Sequence, residues 1–208
     1  TIALLFSVAT LLGISPTAAQ ESSIIAAWTF NGQLWVSDGT EAKLIDEGHV
    51  LQATLSPDQR HIVAIVNRGN SQVDNLVIFD VETGESVLIL ESEMLPTSTE
   101  NERLGFSRPI WIDSSTIWFN TIGLFEGPPG FENRYDIYRV DLEGNLTERF
   151  EVGTGGAMIL SPDREKVALT RAGEYQNSNQ LSMIQIVDTT TGERLSDVFD
   201  FPAVATGS

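Results

Sequence analysis

The chain has 208 residues, 12 of them Lys or Arg and 29 Asp or Glu, for a formal net charge of −17. That acid excess excludes non-specific nucleic-acid binding, which needs clustered basic side chains, and argues against an anionic membrane surface as partner. With no Cys and 41% apolar residues, the chain can bury a core but has no disulfide, thiolate metal site or thiol nucleophile.

Residues Ile2 to Ile14 (IALLFSVATLLGI) carry no charge and no amide side chain. The run is short of the ~20 apolar residues of a spanning helix. It reads as the apolar region of a secretory signal peptide over residues 1–20, with small residues at Thr17 and Ala19 for a cut after Ala19. The basic leader is missing and residue 1 is Thr, so the sequence reads as starting a few residues late. The expectation is an exported protein, periplasmic or extracellular, with no membrane contact after cleavage.

Residues 21–208 are organised by repeats. A partial unit over about 24–47 has three expected strands, Ile24–Phe30, Gln33–Ser37 and Ala42–Ile45. The next, 49–90, has four: Val50–Leu55, His61–Asn67, Asn75–Asp80 and Ser86–Leu90. A third, 109–152, runs Pro109–Asp113, Thr116–Ile122, Tyr135–Asp141 and Leu146–Val152. The last, 157–200, runs Ala157–Leu160, Lys166–Arg171, Met183–Asp188 and Arg194–Phe199. The strands are short, rich in branched and aromatic residues, and bounded by Gly, Pro, Asn and Asp. No stretch after residue 20 keeps a 3.6-residue period over a helix length.

Two turn signals recur. Leu55-Ser56-Pro57-Asp58 returns as Leu160-Ser161-Pro162-Asp163, 105 residues later, with a degenerate relative at Asp113-Ser114-Ser115. Pro pre-sets φ in such a turn, and Asp can bond back to the backbone. The second signal is a strand ending in Asp before a glycine turn, at Asp38, Asp80, Asp141 and Asp188, at intervals of 42, 61 and 47 residues. Tandem four-stranded antiparallel units of this size specify an all-β fold, a β-propeller of about three and a half blades. The partial unit lacks its first strand, so the sequence reads as the N-terminal part of a longer chain.

With those motifs placed, the chain resembles the WD-like propeller repeats of the TolB type, over residues 24–200. In that family the first turn reads Ser-Pro-Asp-Gly; here Gln59 and Arg164 stand where it has Gly. The resemblance implies a non-enzymatic propeller, exported, that binds proteins or other ligands.

The long connections Arg68–Asp74, Glu91–Arg108, Leu124–Arg134 and Ala172–Ser182 are expected at the face opposite the tight turns. They carry Arg68, Arg103, Phe106, Arg108, Phe125, Phe131, Arg134, Tyr175 and Asn177. Arg beside aromatics is the composition of a protein-binding anchor. Chemistry is sparse. His49 and His61 are the only histidines and have no companion at metal-ligand spacing. No nucleophile elbow, Walker motif or dinucleotide glycine motif occurs. Trp28, Trp35, Trp111 and Trp118 are assigned to packing between blades. The leading reading is an exported module that binds a protein or peptide, with no cofactor and no catalysis of its own. The alternative is the non-catalytic propeller of a larger prolyl-oligopeptidase-like serine hydrolase. A quinone-dependent dehydrogenase propeller is weaker still, since its tryptophan-docking repeats are absent.

Overall fold

The computed structural model describes residues 24, 26–67, 74–97, 103–124, 136–150, 157–176 and 179–202, with 148–150, 170–176, 179–183 and 197–202 described by backbone alone. The expected signal peptide lies outside these residues. No helix among the described residues is long and apolar enough to cross a membrane.

The described residues form four antiparallel sheets in sequence order. The first holds β1 (Ala26–Phe30), β2 (Gln33–Ser37) and β3 (Ala42–Asp46). The second holds β4 (Val50–Leu55), β5 (His61–Val66), β6 (Asn75–Asp80) and β7 (Ser86–Glu91), followed by one 3-10 turn at Ser92–Met94. The third holds β8 (Arg103–Trp111), β9 (Thr116–Leu124), β10 (Ile137–Asp141) and β11 (Leu146–Phe150). The fourth holds β12 (Met158–Leu160), β13 (Lys166–Gln176), β14 (Asn179–Asp188) and β15 (Arg194–Pro202). Each strand pairs with its neighbour in the chain, so every connection within a sheet is a hairpin.

The sheets stack face to face, and side-chain alternation divides their residues between two interfaces. On β5, Ile62, Ala64 and Val66 pack with Leu34 and Val36 of the first sheet. Val63 and Ile65 pack with Phe106, Trp111 and Phe119 of the third. On β9, Ile117 and Phe119 face the second sheet while Trp118 faces Val167 and Leu169 of the fourth. Strands buried on both faces read as unbroken apolar runs, which is why His61–Val66 (HIVAIV) does not alternate.

β4 and β8 are edge strands of their sheets and lie side by side. Side chains tie them together: the Thr54 hydroxyl donates to the Pro109 carbonyl (3.0 Å) and Trp111 Nε1 to the Thr54 carbonyl (2.9 Å). The packing expectation holds for Trp111 and Trp118, which are fully buried, and not for Trp28, which is 38% exposed. Trp28 pairs with Trp35 across β1 and β2, and both alternate with Leu34 and Val36, so they sit on the face turned away from the second sheet.

Candidate binding site

The two recurrent turns lie at the same end of each four-stranded sheet, and in the second and fourth sheets they are built by the same bonds. Ser56 Oγ donates to Asp58 Oδ1 (2.6 Å) and accepts from the His61 amide (3.0 Å). Ser161 Oγ repeats this with Asp163 (2.6 Å) and the Lys166 amide (3.0 Å). In the second turn, Asp80 Oδ1 accepts from the Thr83 amide (2.7 Å) and hydroxyl (3.0 Å). Asp188 does the same with Thr191 at the same distances.

These bonds favour the carboxylate over the acid. Asp38 is drawn down to about 2 by the Thr40 hydroxyl and the amides of Glu41 and Thr40. Asp80 and Asp188 lie below the usual range, chiefly through the Thr83 and Thr191 amides. At Asp58 burial opposes ionisation, but the Ser56 hydroxyl, the Arg60 amide and the charges of His61 and Arg60 outweigh it.

The β5–β6 register sets His61 opposite Asp80, and the Asp80 amide donates to the Glu85 carbonyl (2.9 Å). His61, Asp80 and Glu85 therefore form one row across the end of the second sheet. By alternation they share the face of Val63, Ile78 and Val87, which looks toward the third sheet. Under this row opens a cleft of about 240 Å3, lined by Ile78, Val87 and Ile89 and by Leu142 from the β10–β11 turn. The His61 ring stands 6.5 Å from that of Trp111, and its Nδ1 is buried without a hydrogen-bond partner. Among the described residues no three His, Asp or Glu side chains are grouped to hold a metal ion.

The residues expected on the long-loop face fall elsewhere or outside the description. Phe106 is a correction: it is 2% exposed and stacks edge-on against Phe119 in the core between the second and third sheets. The segment around it belongs to β8, which begins at Arg103, so the connection after β7 is shorter than expected. Arg103 is exposed at the start of β8, paired with Leu124. Arg108 is exposed at a bulge with φ of 50°, and its amide donates to Gln52 Oε1 (2.7 Å). Tyr175 lies on β13 paired with Gln180, because β13 and β14 continue as a hairpin where a long loop was expected. Arg68, Phe125, Phe131, Arg134 and Asn177 lie outside the described residues. The His61 row is not legible along the chain, because Asp80 and Glu85 lie 19 and 24 residues beyond His61. The pairing that makes Asp80 a neighbour belongs to the β5–β6 register, whereas the two recurrent turns close β4–β5 and β6–β7.

Solved structures with this arrangement of sheets include oligogalacturonate lyase in complex with manganese (TM-score 0.57, 16% identity) and oligogalacturonate lyase from Vibrio parahaemolyticus (0.57, 18%). They also include acylaminoacyl peptidase from Pyrococcus horikoshii (0.52, 13%). The fold is an arc of β-propeller blades. The likeness covers 83%, 85% and 81% of this chain, and 50%, 50% and 28% of those proteins. The chain thus spans half the length of the lyases and less of the peptidase. No family model and no curated relative matches it. In this propeller arc the turn geometry recurs between blades, while the His61 row lies on the second blade and its cleft is closed by Leu142 of the third.

Proposed function

We propose that this chain is the recognition part of an exported β-propeller that binds a protein or peptide. The observation that carries this reading is the use made of the ionisable groups. Asp38, Asp58, Asp80, Asp163 and Asp188 are each held by the hydroxyl and amide groups of their own turn, so they build a rigid scaffold. What the scaffold offers to a partner is a set of exposed side chains along its edge strands: Leu51, Gln52, Arg103 and Arg108. Arg and apolar groups on a rigid support suit protein recognition, because little side-chain and backbone entropy is lost on binding. Peptide display on the chain, repeated on the double variant Arg103→Glu, Arg108→Glu, tests this. Peptides enriched on the parent and lost on the variant support it. Equal enrichment on both refutes the assigned surface.

A second reading is favoured by one observation, the structural likeness to acylaminoacyl peptidases, of which this chain spans only 28% and 32%. On this reading the arc is the gate of a larger serine hydrolase. Labelling of the native full-length protein by a fluorophosphonate, at a serine outside residues 1–208, would decide for it.

A further inference from the structure

The three four-stranded blades carry the same row of positions, and comparing them shows what the second blade lacks. In the fourth blade the row is Lys166 opposite Asp188, then Glu193, whose carbonyl accepts from the Asp188 amide (2.9 Å). In the third it is Thr116 opposite Asp141, then Asn145. In the second it is His61, Asp80 and Glu85.

Each row deals with its carboxylate differently. In the third blade Asn145 donates its amide to Asp141 Oδ1 and its side-chain Nδ2 to Oδ2, both at 2.8 Å, so both carboxylate oxygens are engaged within the turn. In the fourth, Lys166 stands opposite Asp188 across β13 and β14, and its charge contributes to holding Asp188 and Asp163 ionised. The second blade keeps both acids, Asp80 and Asp58, and the glutamate. In place of the long ammonium side chain it has the shorter His61, which stands opposite Asp80 as Lys166 stands opposite Asp188. Beside the row is the apolar cleft of Ile78, Val87, Ile89 and Leu142.

We propose that this cleft receives a primary alkylammonium, the side chain of a lysine on a partner protein or peptide, at the position its sister blade fills with its own Lys166. The four methylenes of lysine suit a floor made of Ile, Val and Leu side chains. The ammonium reaches Asp80 and Glu85 at the rim, and the chain's net charge of −17 draws cations toward it. A guanidinium carries the same charge, but the sister blade shows an ammonium in this row. The proposal deepens the binding reading by naming what the partner presents. It rests on that reading only for the carrier of the lysine.

The test uses small probes on the full 208-residue chain, so its failure leaves the binding reading standing. Methyl and imidazole resonances are followed by NMR during titration with n-butylammonium chloride, against n-butanol and sodium chloride at matched concentration. The expected result is a saturable shift of His61, Val87 and Leu142 with a dissociation constant of about millimolar, as for one short stem and one exposed ion pair. His61→Lys should abolish the shift by supplying the chain's own ammonium. Glu85→Gln should weaken binding about three-fold, and both variants alter exposed or half-buried positions that the sister blades vary. A response equal to that of sodium chloride, an equal response to n-butanol, or unchanged binding in His61→Lys overturns the proposal.

Discussion

Gln59 and Arg164 occupy the same position of the same turn, where the resembling family has Gly, and both adopt left-handed backbone with φ of 63° and 64°. A side chain there costs about 1–2 kcal/mol from the clash of Cβ with the following carbonyl. Gly removes that cost but loses about 0.5–1 kcal/mol through its freer unfolded chain. Gln59→Gly should therefore stabilise the protein by about 0.5–1 kcal/mol, a rise in Tm of ~1–4 °C for a chain of this size. Arg164→Gly should not, because Arg164 Nη1 donates to the Trp111 carbonyl at 2.9 Å and ties the fourth blade to the third. A hydrogen bond from a charged donor contributes about 1.5–3 kcal/mol, which outweighs the backbone gain. Equilibrium urea denaturation of the parent, Gln59→Gly, Gln59→Ala and Arg164→Gly measures all of this. Gln59→Ala keeps Cβ and should be near neutral. If Gln59→Ala gains as much as Gln59→Gly, or if Arg164→Gly is as stable as Gln59→Gly, the argument from backbone conformation fails.

The other expectations concern the same scaffold. Gly84 and Gly144 both have positive φ, but a Cβ at Gly144 would stand 2.8 Å from the Ile89 carbonyl oxygen, whereas at Gly84 the nearest atom is 4.0 Å away. Gly144→Ala should then cost about 1–3 kcal/mol more than Gly84→Ala in the same urea titration, since two blades must separate to admit the methyl group; equal costs would show the approach is not tight. Trp118→Ala should cost about 3–5 kcal/mol and lower the urea midpoint accordingly, as a fully buried indole leaves a cavity between the third and fourth blades. Acid should destabilise the fold. Turn carboxylates whose folded pKa is lowered, Asp38 to about 2, add stability above their unfolded value near 3.9 and lose it as pH falls toward the folded values, so Tm should drop between about pH 4 and 2. Asp74 has the opposite sign, because burial raises its pKa against the hydrogen bond from Asn67 Nδ2 (2.9 Å), so its contribution falls as pH rises through and above the unfolded value. Asp74→Asn should accordingly raise Tm at pH 7 relative to its effect at pH 3, and a variant that loses stability equally at both would refute the burial argument.

The strands and their turns are written in the local sequence. Recurrent Ser-Pro-Asp and Asp-Thr-Gly segments carry their own hydrogen bonds, so the local chain specifies the hairpins they close without help from distant residues. The apolar runs between them, such as His61–Val66, already declared burial on two faces. Gln59 and Arg164 were legible as turn residues, though not the left-handed backbone they adopt. Tertiary structure alone decided which residues meet. Phe106 reads as a loop aromatic and is a core residue, because β8 starts earlier than its composition suggests and alternation turns Phe106 toward Phe119. Trp28 and Trp35 read as packing residues and face away from the second sheet, because Leu34 and Val36 hold the other side of β2. His61 reads as a lone histidine and has Asp80 and Glu85 beside it, because hairpin register sets neighbours 19 residues apart in the chain and nothing along the sequence does. Local bonds fix turns one by one; which side chains share a face follows from register and from the sheet that packs against them.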